Sequence, residues 1–167
     1  MSENLFIPIN ETKEEIYNNL LPQVAALIEG ENDFIANLAN ISAALHETFH
    51  WLWVGFYLVK NNELVLGPFQ GSVACTRIGY GEGVCGTAWK EKKSLLILNV
   101  KNFPGHIACN QLSVAEIVVP IFDANQSIIG VLDIDSDKHD ELTDEDVFYL
   151  GKICQLITNK LSNFFHV

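Results

Sequence analysis

Cysteine is the residue type in this chain best suited to redox chemistry, and four are present, Cys75, Cys85, Cys109 and Cys154. The first residues are polar and acidic and do not resemble an export signal. We therefore expect a cytoplasmic protein, in a compartment where thiols are kept reduced. A disulfide that forms there is more often catalytic or redox-sensing than structural.

Three of these cysteines have a different setting from the fourth. Cys75, Cys85 and Cys109 fall in or beside two glycine-rich segments that we expect to form loops. Cys154 lies on an apolar helical stripe and is most simply a core residue. Positive charge near a thiol favours the thiolate, and Arg77, the only arginine in the chain, is two residues from Cys75.

Two other interpretations of the three loop cysteines stay open on spacing alone. The gaps between them are nine and twenty-three residues, without the close pair that marks a zinc site, and His106 is the only histidine in range. We therefore expect no bound metal and no cofactor. The three residues are otherwise explained as small buried hydrophobes, since free cysteine is commonly buried.

Carboxylates provide a second candidate group. If the hairpin formed by Ala115–Phe122 and Ile128–Ser136 turns near Asn125, Glu116 lies opposite Asp133 and diagonal to Asp135. Like charges at such short range are destabilising unless a cation binds or one carboxyl keeps its proton, and a substrate ammonium group is the obvious cation. A register slipped by one residue would instead send Glu116 to the other face, or the aspartates would be solvated at a strand end.

The elements that must position these groups follow from hydrophobic spacing. Two helices are predicted within residues 11–50, the first with a kink at Pro22 and the second capped by Asp33. Strands and loops occupy residues 51–136, and a last helix is predicted over residues 143–165. This order predicts a single α+β domain over residues 1–167, an antiparallel β-sheet with helices packed on it.

Within residues 51–136 the pattern is more specific. β-Branched and aromatic residues predict four main strands, and the pair Asn61-Asn62 is typical of a tight hairpin turn. The glycine-rich stretch 67–86 is expected to be loop, and Thr143 is the expected cap of the last helix. The predicted elements are strands Trp51–Lys60, Glu63–Leu66, Thr76–Ile78, Ser94–Asn99, Ala115–Phe122 and Ile128–Ser136, and a short helix Gly86–Lys92.

Composition excludes several classes of function. The chain has 10 Lys and Arg against 21 Asp and Glu, a formal charge of −11. That sign is wrong for binding a nucleic-acid backbone or an anionic membrane surface. No apolar run approaches the roughly 18 residues that a membrane span requires. We expect neither nucleic acid nor membrane as a partner.

Seven short motifs together resemble those of the free methionine-(R)-sulfoxide reductases, a catalytic branch of the GAF-domain fold. The resemblance covers the chain from about the second helix to the last, whereas most GAF domains are ligand sensors that lack this cysteine set. The motifs are WVGFY at 53–57, FQG at 69–71, ACTRI at 74–78, GVCGTA at 83–88, FPGHIAC at 103–109, EIVVP at 116–120 and GVLDIDS at 130–136.

The resemblance implies a role for each cysteine. Cys109 is expected to be the nucleophile, which becomes a sulfenic acid, while Cys75 and Cys85 are expected to be resolving or recycling thiols, in an order left open. The resulting disulfide would be reopened by a thioredoxin-type reductant. The substrate implied is free L-methionine-(R)-sulfoxide, and a homodimer is a further expectation from the family.

The resemblance also implies a substrate site. Glu116 and Asp133 would bind the substrate and assist catalysis as acids, and Asp135 would pair with the α-ammonium group, which a methionine within a peptide lacks. Trp53 and Tyr57 would line the pocket at the S-methyl end, although both also fit ordinary strand core. Whether His106 contacts the substrate or shapes its loop is not determined.

This sequence departs from the family pattern at three places: Asn110, where many members have Asp, Lys101-Asn102, where many have His, and Gly79, where Pro is frequent. These changes leave the implied ligands intact but bear on the pKa of Cys109.

Two other classes of function remain. A GAF-type sensor would normally report to an attached output domain, for which 167 residues leave no room, and a thiol switch without a substrate would leave the acidic hairpin unexplained.

Overall fold

The first two helices confirm the predicted N-terminal pair, with one difference. The structure is a computed structural model that describes residues 4–162, with the side chains of the last two of these residues left out. Helix α1 (Lys13–Glu29) begins at a capping box formed by Thr12 and Glu15 and runs unbroken past Pro22. It stays one helix because the buried stripe from Tyr17 to Ile28 continues on both sides of the proline. Helix α2 (Phe34–Phe49) is capped by Asp33, as predicted.

Six strands form one antiparallel sheet in the order β3-β2-β1-β6-β5-β4. In the sequence, the strands follow α2 and precede the last helix, α4 (Asp144–Ser162). Helix α3 (Gly83–Glu91) and a 3-10 turn (Val100–Asn102) interrupt the series of strands. No helix among residues 4–162 is long and apolar enough to span a membrane. The strands are β1 (Trp53–Lys60), β2 (Glu63–Gln70), β3 (Arg77–Gly79), β4 (Leu95–Ile97), β5 (Ala115–Phe122) and β6 (Ile128–Ser136).

The bounds of both long hairpin strands, β5 and β6, agree with the prediction, and so does the turn at Asn61-Asn62, where both residues have positive φ. Strand β2 was predicted to end at Leu66 but continues to Gln70. It can include Pro68 because a bulge opposite β1 and the early end of β3 leave that stretch without complete ladders on both sides. The part of the last helix predicted over residues 163–165 lies outside the described residues.

Side chains alternate across the sheet and create two separate cores. On one face, α1, α2 and α4 pack over residues such as Phe56, Ile117 and Leu132, which are fully buried. On the other face, α3 and the loops cover a smaller core that includes Trp53, Tyr57 and Cys85. The carboxylates of β5 and β6 point to this second face, since they alternate with the residues of the first core.

Candidate active site

The carboxylate cluster, defined as Glu116, Asp133 and Asp135, forms on the second face of the sheet. The predicted proximity is confirmed, but the predicted register is wrong: Glu116 pairs with Asp135 and Val118 pairs with Asp133. The loop extends to Ser127 and a bulge adds a residue beside Ile121, so the register moves by two. A shift of two keeps every side chain on its face, and the cluster therefore survives the error.

Burial dominates the electrostatics of the cluster. Glu116 is 5% exposed and Asp133 is 6% exposed. Burial, followed by the charge of Asp135, raises the pKa of Glu116, and burial, followed by the charge of Glu116, raises the pKa of Asp133. The pKa of Asp135 is also raised by burial, an effect that a hydrogen bond from the Ser113 hydroxyl opposes. Ser113 carries no motif that could have identified it from the sequence.

Cys85 lies beside the cluster rather than in a loop. Helix α3 begins at Gly83, three residues earlier than predicted, and Gly83 has a positive φ of 58°, which glycine adopts without strain. Cys85 Sγ lies 3.9 Å from Glu116 Oε1, in hydrogen-bonding range for a thiol. Burial, followed by the charges of Asp133 and Glu116, raises the pKa of this thiol well above its ordinary value. Cys85 is therefore a thiol rather than a thiolate at neutral pH.

Cys75 and Cys109 are joined by a disulfide, with Cα atoms 5.3 Å apart. Both are partly buried, so an external thiol has a route to the bond. The segments that carry them are also linked by a 2.9 Å hydrogen bond from the Asn110 side chain to Ser72. Arg77, predicted to favour a thiolate at Cys75, instead pairs with Glu63 on the neighbouring strand.

The aromatic pair of β1 anchors the Cys75 segment. Trp53 Nε1 donates to the carbonyl of Ser72 at 3.1 Å, and the Tyr57 hydroxyl donates to the carbonyl of Cys75 at 2.9 Å. Both side chains are buried in the second core, at 2% and 1% exposure, and they also line the cavity next to Cys109. They thus combine the two roles considered for them, strand core and pocket wall.

Two small cavities lie over the carboxylate cluster, of about 20 Å³ and about 10 Å³. Cys109, Asn110, Asp133 and Asp135 line both. Because both cavities share these residues, they are two parts of one pocket beside the Cys109 segment. Each part has room for about one water molecule. His106 lines the larger part with Nε2 at 3.4 Å from Glu116 Oε2, so it contacts the cluster directly.

The three cysteines predicted to act chemically therefore belong to one site, and Cys154, predicted to be a core residue, lies elsewhere. Cys85 and Cys109 line the cavity over the carboxylate cluster and Cys75 is bonded to Cys109, whereas Cys154 is 3% exposed in the first core, on the opposite face of the sheet. The arrangement combines a disulfide pair, three carboxyls whose pKa values are raised, and small cavities beside them.

Comparison with known proteins gives consistent results. A family model described as GAF domain matches residues 35–162. GAF domain-containing protein A of Dictyostelium discoideum is 56% identical over 160 residues, 95% of this chain and 100% of that protein. The free methionine-R-sulfoxide reductase of Escherichia coli K12 is 51% identical over 135 residues, 80% of this chain and 81% of that protein. The structure of free methionine-R-sulfoxide reductase from Neisseria meningitidis in complex with its substrate superposes with a TM-score of 0.93 at 43% identity, covering 97% of this chain and 98% of that one.

Proposed function

The chain belongs to the free methionine-(R)-sulfoxide reductase family of GAF domains, and from that membership we propose that it reduces free L-methionine-(R)-sulfoxide through Cys109, with Cys75 as the resolving thiol. The observation that carries the proposal is the disulfide between Cys75 and Cys109 at the edge of a buried carboxylate cluster. A redox pair next to a proton source is what reduction of a sulfoxide requires.

Protonation is the first requirement of the chemistry. The sulfur of a sulfoxide is a poor electrophile until its oxygen accepts a proton. Glu116 and Asp133 both have a raised pKa, and two buried carboxyls so close together favour a state in which at least one stays protonated at neutral pH. That carboxyl gives its proton to the sulfoxide oxygen as the thiolate attacks.

Cys109 is the better nucleophile of the two cysteines that face the larger cavity. Cys85 faces the same space, but burial and two carboxylates raise its pKa and keep it neutral. Attack by Cys109 transfers the oxygen to sulfur, releases methionine and leaves a sulfenic acid. The Cys75 thiol then displaces water from that sulfenic acid to form the disulfide, and a thioredoxin-type dithiol reduces it, itself becoming oxidised.

Recognition of the free amino acid follows from charge. Asp135 is the partly buried carboxyl of the cluster, and we assign it to the α-ammonium group of the substrate. With the disulfide closed, each cavity is far smaller than the substrate. Reduction must therefore release the Cys109 segment before the substrate can enter, which orders the cycle as reduction, binding and then reaction.

Turnover assays with wild type and three variants test this function. Wild type, Cys109→Ser, Cys75→Ser and the control Cys154→Ala are assayed on the free R epimer, the free S epimer and a peptide-bound sulfoxide, with thioredoxin, thioredoxin reductase and NADPH. We expect turnover of the free R epimer alone, unchanged in Cys154→Ala and abolished in Cys109→Ser. Ligand binding without turnover by a folded wild type would instead assign the chain to the GAF sensors.

A further inference from the structure

Three potential metal ligands of mixed chemistry lie together on the wall of the larger cavity, and a fourth lies nearby. One ligand atom each from Cys85, Glu116 and Asp133 lies within 4.8 Å of the others, and all three residues are buried. His106 Nε2 approaches the same group, 3.4 Å from Glu116 Oε2. A thiol, an imidazole and carboxylates form a ligand set that differs from the purely acidic groups common on protein surfaces.

Asp133 supplies an independent observation. Its Oδ1 atom is completely buried and has no hydrogen-bond partner among the described residues. A buried oxygen without a partner costs about 1–3 kcal/mol, and native proteins rarely keep one without a purpose. Asp133 also lines the cavity, so a cation bound there would meet an oxygen that has no hydrogen-bond partner among the described residues.

We propose that Cys85, Glu116, Asp133 and His106 bind a thiophilic divalent cation, zinc in the first place, in competition with the substrate. Typical zinc bond lengths of about 2.3 Å to sulfur and about 2.0–2.2 Å to nitrogen or oxygen place tetrahedral ligands roughly 3.4–3.6 Å apart. The Sγ to Oε1 distance of 3.9 Å is close to this spacing, whereas His106, whose Nε2 lies 3.4 Å from the other oxygen of Glu116, must turn toward the three buried ligands to become the fourth.

The chemistry of the ligands selects the metal. Magnesium and calcium prefer oxygen ligands and would gain little from Cys85 or His106, whereas zinc and cadmium favour sulfur and imidazole. When the metal binds, the Cys85 thiol and whichever of Glu116 and Asp133 is protonated release their protons to solvent. Two carboxylates and a thiolate then surround a doubly charged cation, which replaces repulsion between the acids with attraction to the metal.

Inhibition would follow from shared ligands, and this consequence rests on the proposed function. Glu116 and Asp133 are the carboxyls that we assign to substrate binding and proton transfer, so a cation coordinated by them excludes the substrate. Binding of the metal itself requires no turnover. The two ideas can therefore fail separately.

The test uses the oxidised protein, in which Cys75 and Cys109 are paired and Cys85 and Cys154 are the free thiols. Zinc is titrated against a chromophoric chelator, and cadmium binding is followed by its thiolate charge-transfer absorption. We expect one metal per chain in wild type and in the control Cys154→Ala. Cys85→Ala should lose the cadmium–thiolate band, and it and Asp133→Asn should weaken zinc binding at least roughly 10–100-fold, the loss typical even of second-shell changes.

Free methionine sulfoxide, added to the reduced Cys75→Ser/Cys109→Ser variant so that no turnover occurs, should raise the apparent Kd for zinc. Zinc affinity equal in wild type, Cys85→Ala and Asp133→Asn, or no cadmium–thiolate band in oxidised wild type, would overturn the site. Zinc affinity unaffected by saturating sulfoxide would overturn the competition. If wild type fails to turn over the sulfoxide while the metal titrations behave as expected, the proposed function is refuted and the metal site stands.

Discussion

Asp133→Asn should stabilise the fold while it abolishes activity. In the wild type, Asp133 is 6% exposed, close to two other carboxyls, and its Oδ1 is buried without a partner. The amide of Asn carries no charge and brings N–H donors that can bond to the Glu116 carboxylate. The substitution therefore removes a buried acid without opening a cavity.

The increase in the free energy of unfolding that Asp133→Asn should bring can be worked from two local contributions. An unsatisfied buried polar atom costs about 1–3 kcal/mol, and like charges on neighbouring strands cost about 0.2–1 kcal/mol. Asn keeps a polar atom at the site, so we expect a gain of about 1–2 kcal/mol, within the range those penalties allow. For a chain of this length 1 kcal/mol corresponds to roughly 2–4 °C, so Tm should rise by about 2–8 °C.

The gain should depend on pH in a defined direction. The pKa of Asp133 is raised in the folded state above its ordinary value of 3.8, so the folded chain holds this proton over a pH range in which the unfolded chain has lost it. Wild-type stability therefore falls as pH rises from about 3.8 through the folded pKa. The difference in Tm between Asp133→Asn and wild type should be small near pH 4 and largest above pH 7.

Thermal melts of the two proteins across this pH range measure the effect, with turnover measured in parallel. Asp137→Asn is the matched control, since Asp137 is an exposed acid near the end of the same strand, and it should change neither quantity. Loss of a general acid typically lowers the rate by about 10²–10⁴-fold. A Tm at or below wild type above neutral pH would refute the argument from burial, and retained turnover would refute the role of Asp133 as an acid.

Three further predictions follow from the same site and fold. Cys75→Ser should complete one turnover and release one methionine per chain, detectable by rapid quench, but should not sustain turnover with thioredoxin; sustained turnover would reassign the resolving thiol. The value of kcat/KM should fall as pH rises through the raised pKa of Glu116, and a pH profile that rises throughout the alkaline range would contradict a carboxyl acid. Gly86→Ala should lower the free energy of unfolding by about 1–3 kcal/mol, because the new Cβ would lie 2.3 Å from the carbonyl oxygen of Gly79. Gly151→Ala on helix α4 should raise it by up to about 1 kcal/mol, because the new Cβ would meet nothing within 4 Å. Thermal melts of both variants beside wild type test these two signs.

The sequence predicts the fold well where periodicity is strong. Both strands of the β5–β6 hairpin were predicted to the residue, because two β-rich runs bounded by the turn-forming residues 123–126 leave little freedom. The bulge in the same hairpin was not visible, since a single extra residue changes no pattern that the sequence displays. The predicted register was therefore wrong by two residues, but the prediction that Glu116, Asp133 and Asp135 share one face of the sheet was right.

The site was less predictable than the fold because its geometry depends on contacts between segments distant in sequence. The glycine content of residues 67–86 predicted a loop around Cys85, yet packing against the sheet places Cys85 in the first turn of α3. Ser113, which donates to Asp135, and Asn110, which ties its loop to Ser72, have no sequence signal of their own. These contacts depend on tertiary structure, which local propensity does not encode.

In the proposed mechanism, the placement of Cys85 explains why a site with three cysteines uses only two of them as a redox pair. The reactivity of a thiol depends on its thiolate fraction, and the carboxyls that would protonate a sulfoxide also suppress ionisation of any thiol buried among them. A nucleophile must therefore reach the substrate from outside the carboxylate cluster. Cys109 meets this condition, because it lies on a partly buried segment that the disulfide to Cys75 holds beside the pocket. Separating the acid from the thiolate in this way lets both operate at one pH, and it leaves Cys85 as a protonated neighbour of Glu116 whose sulfur is available to a thiophilic metal rather than to the sulfoxide.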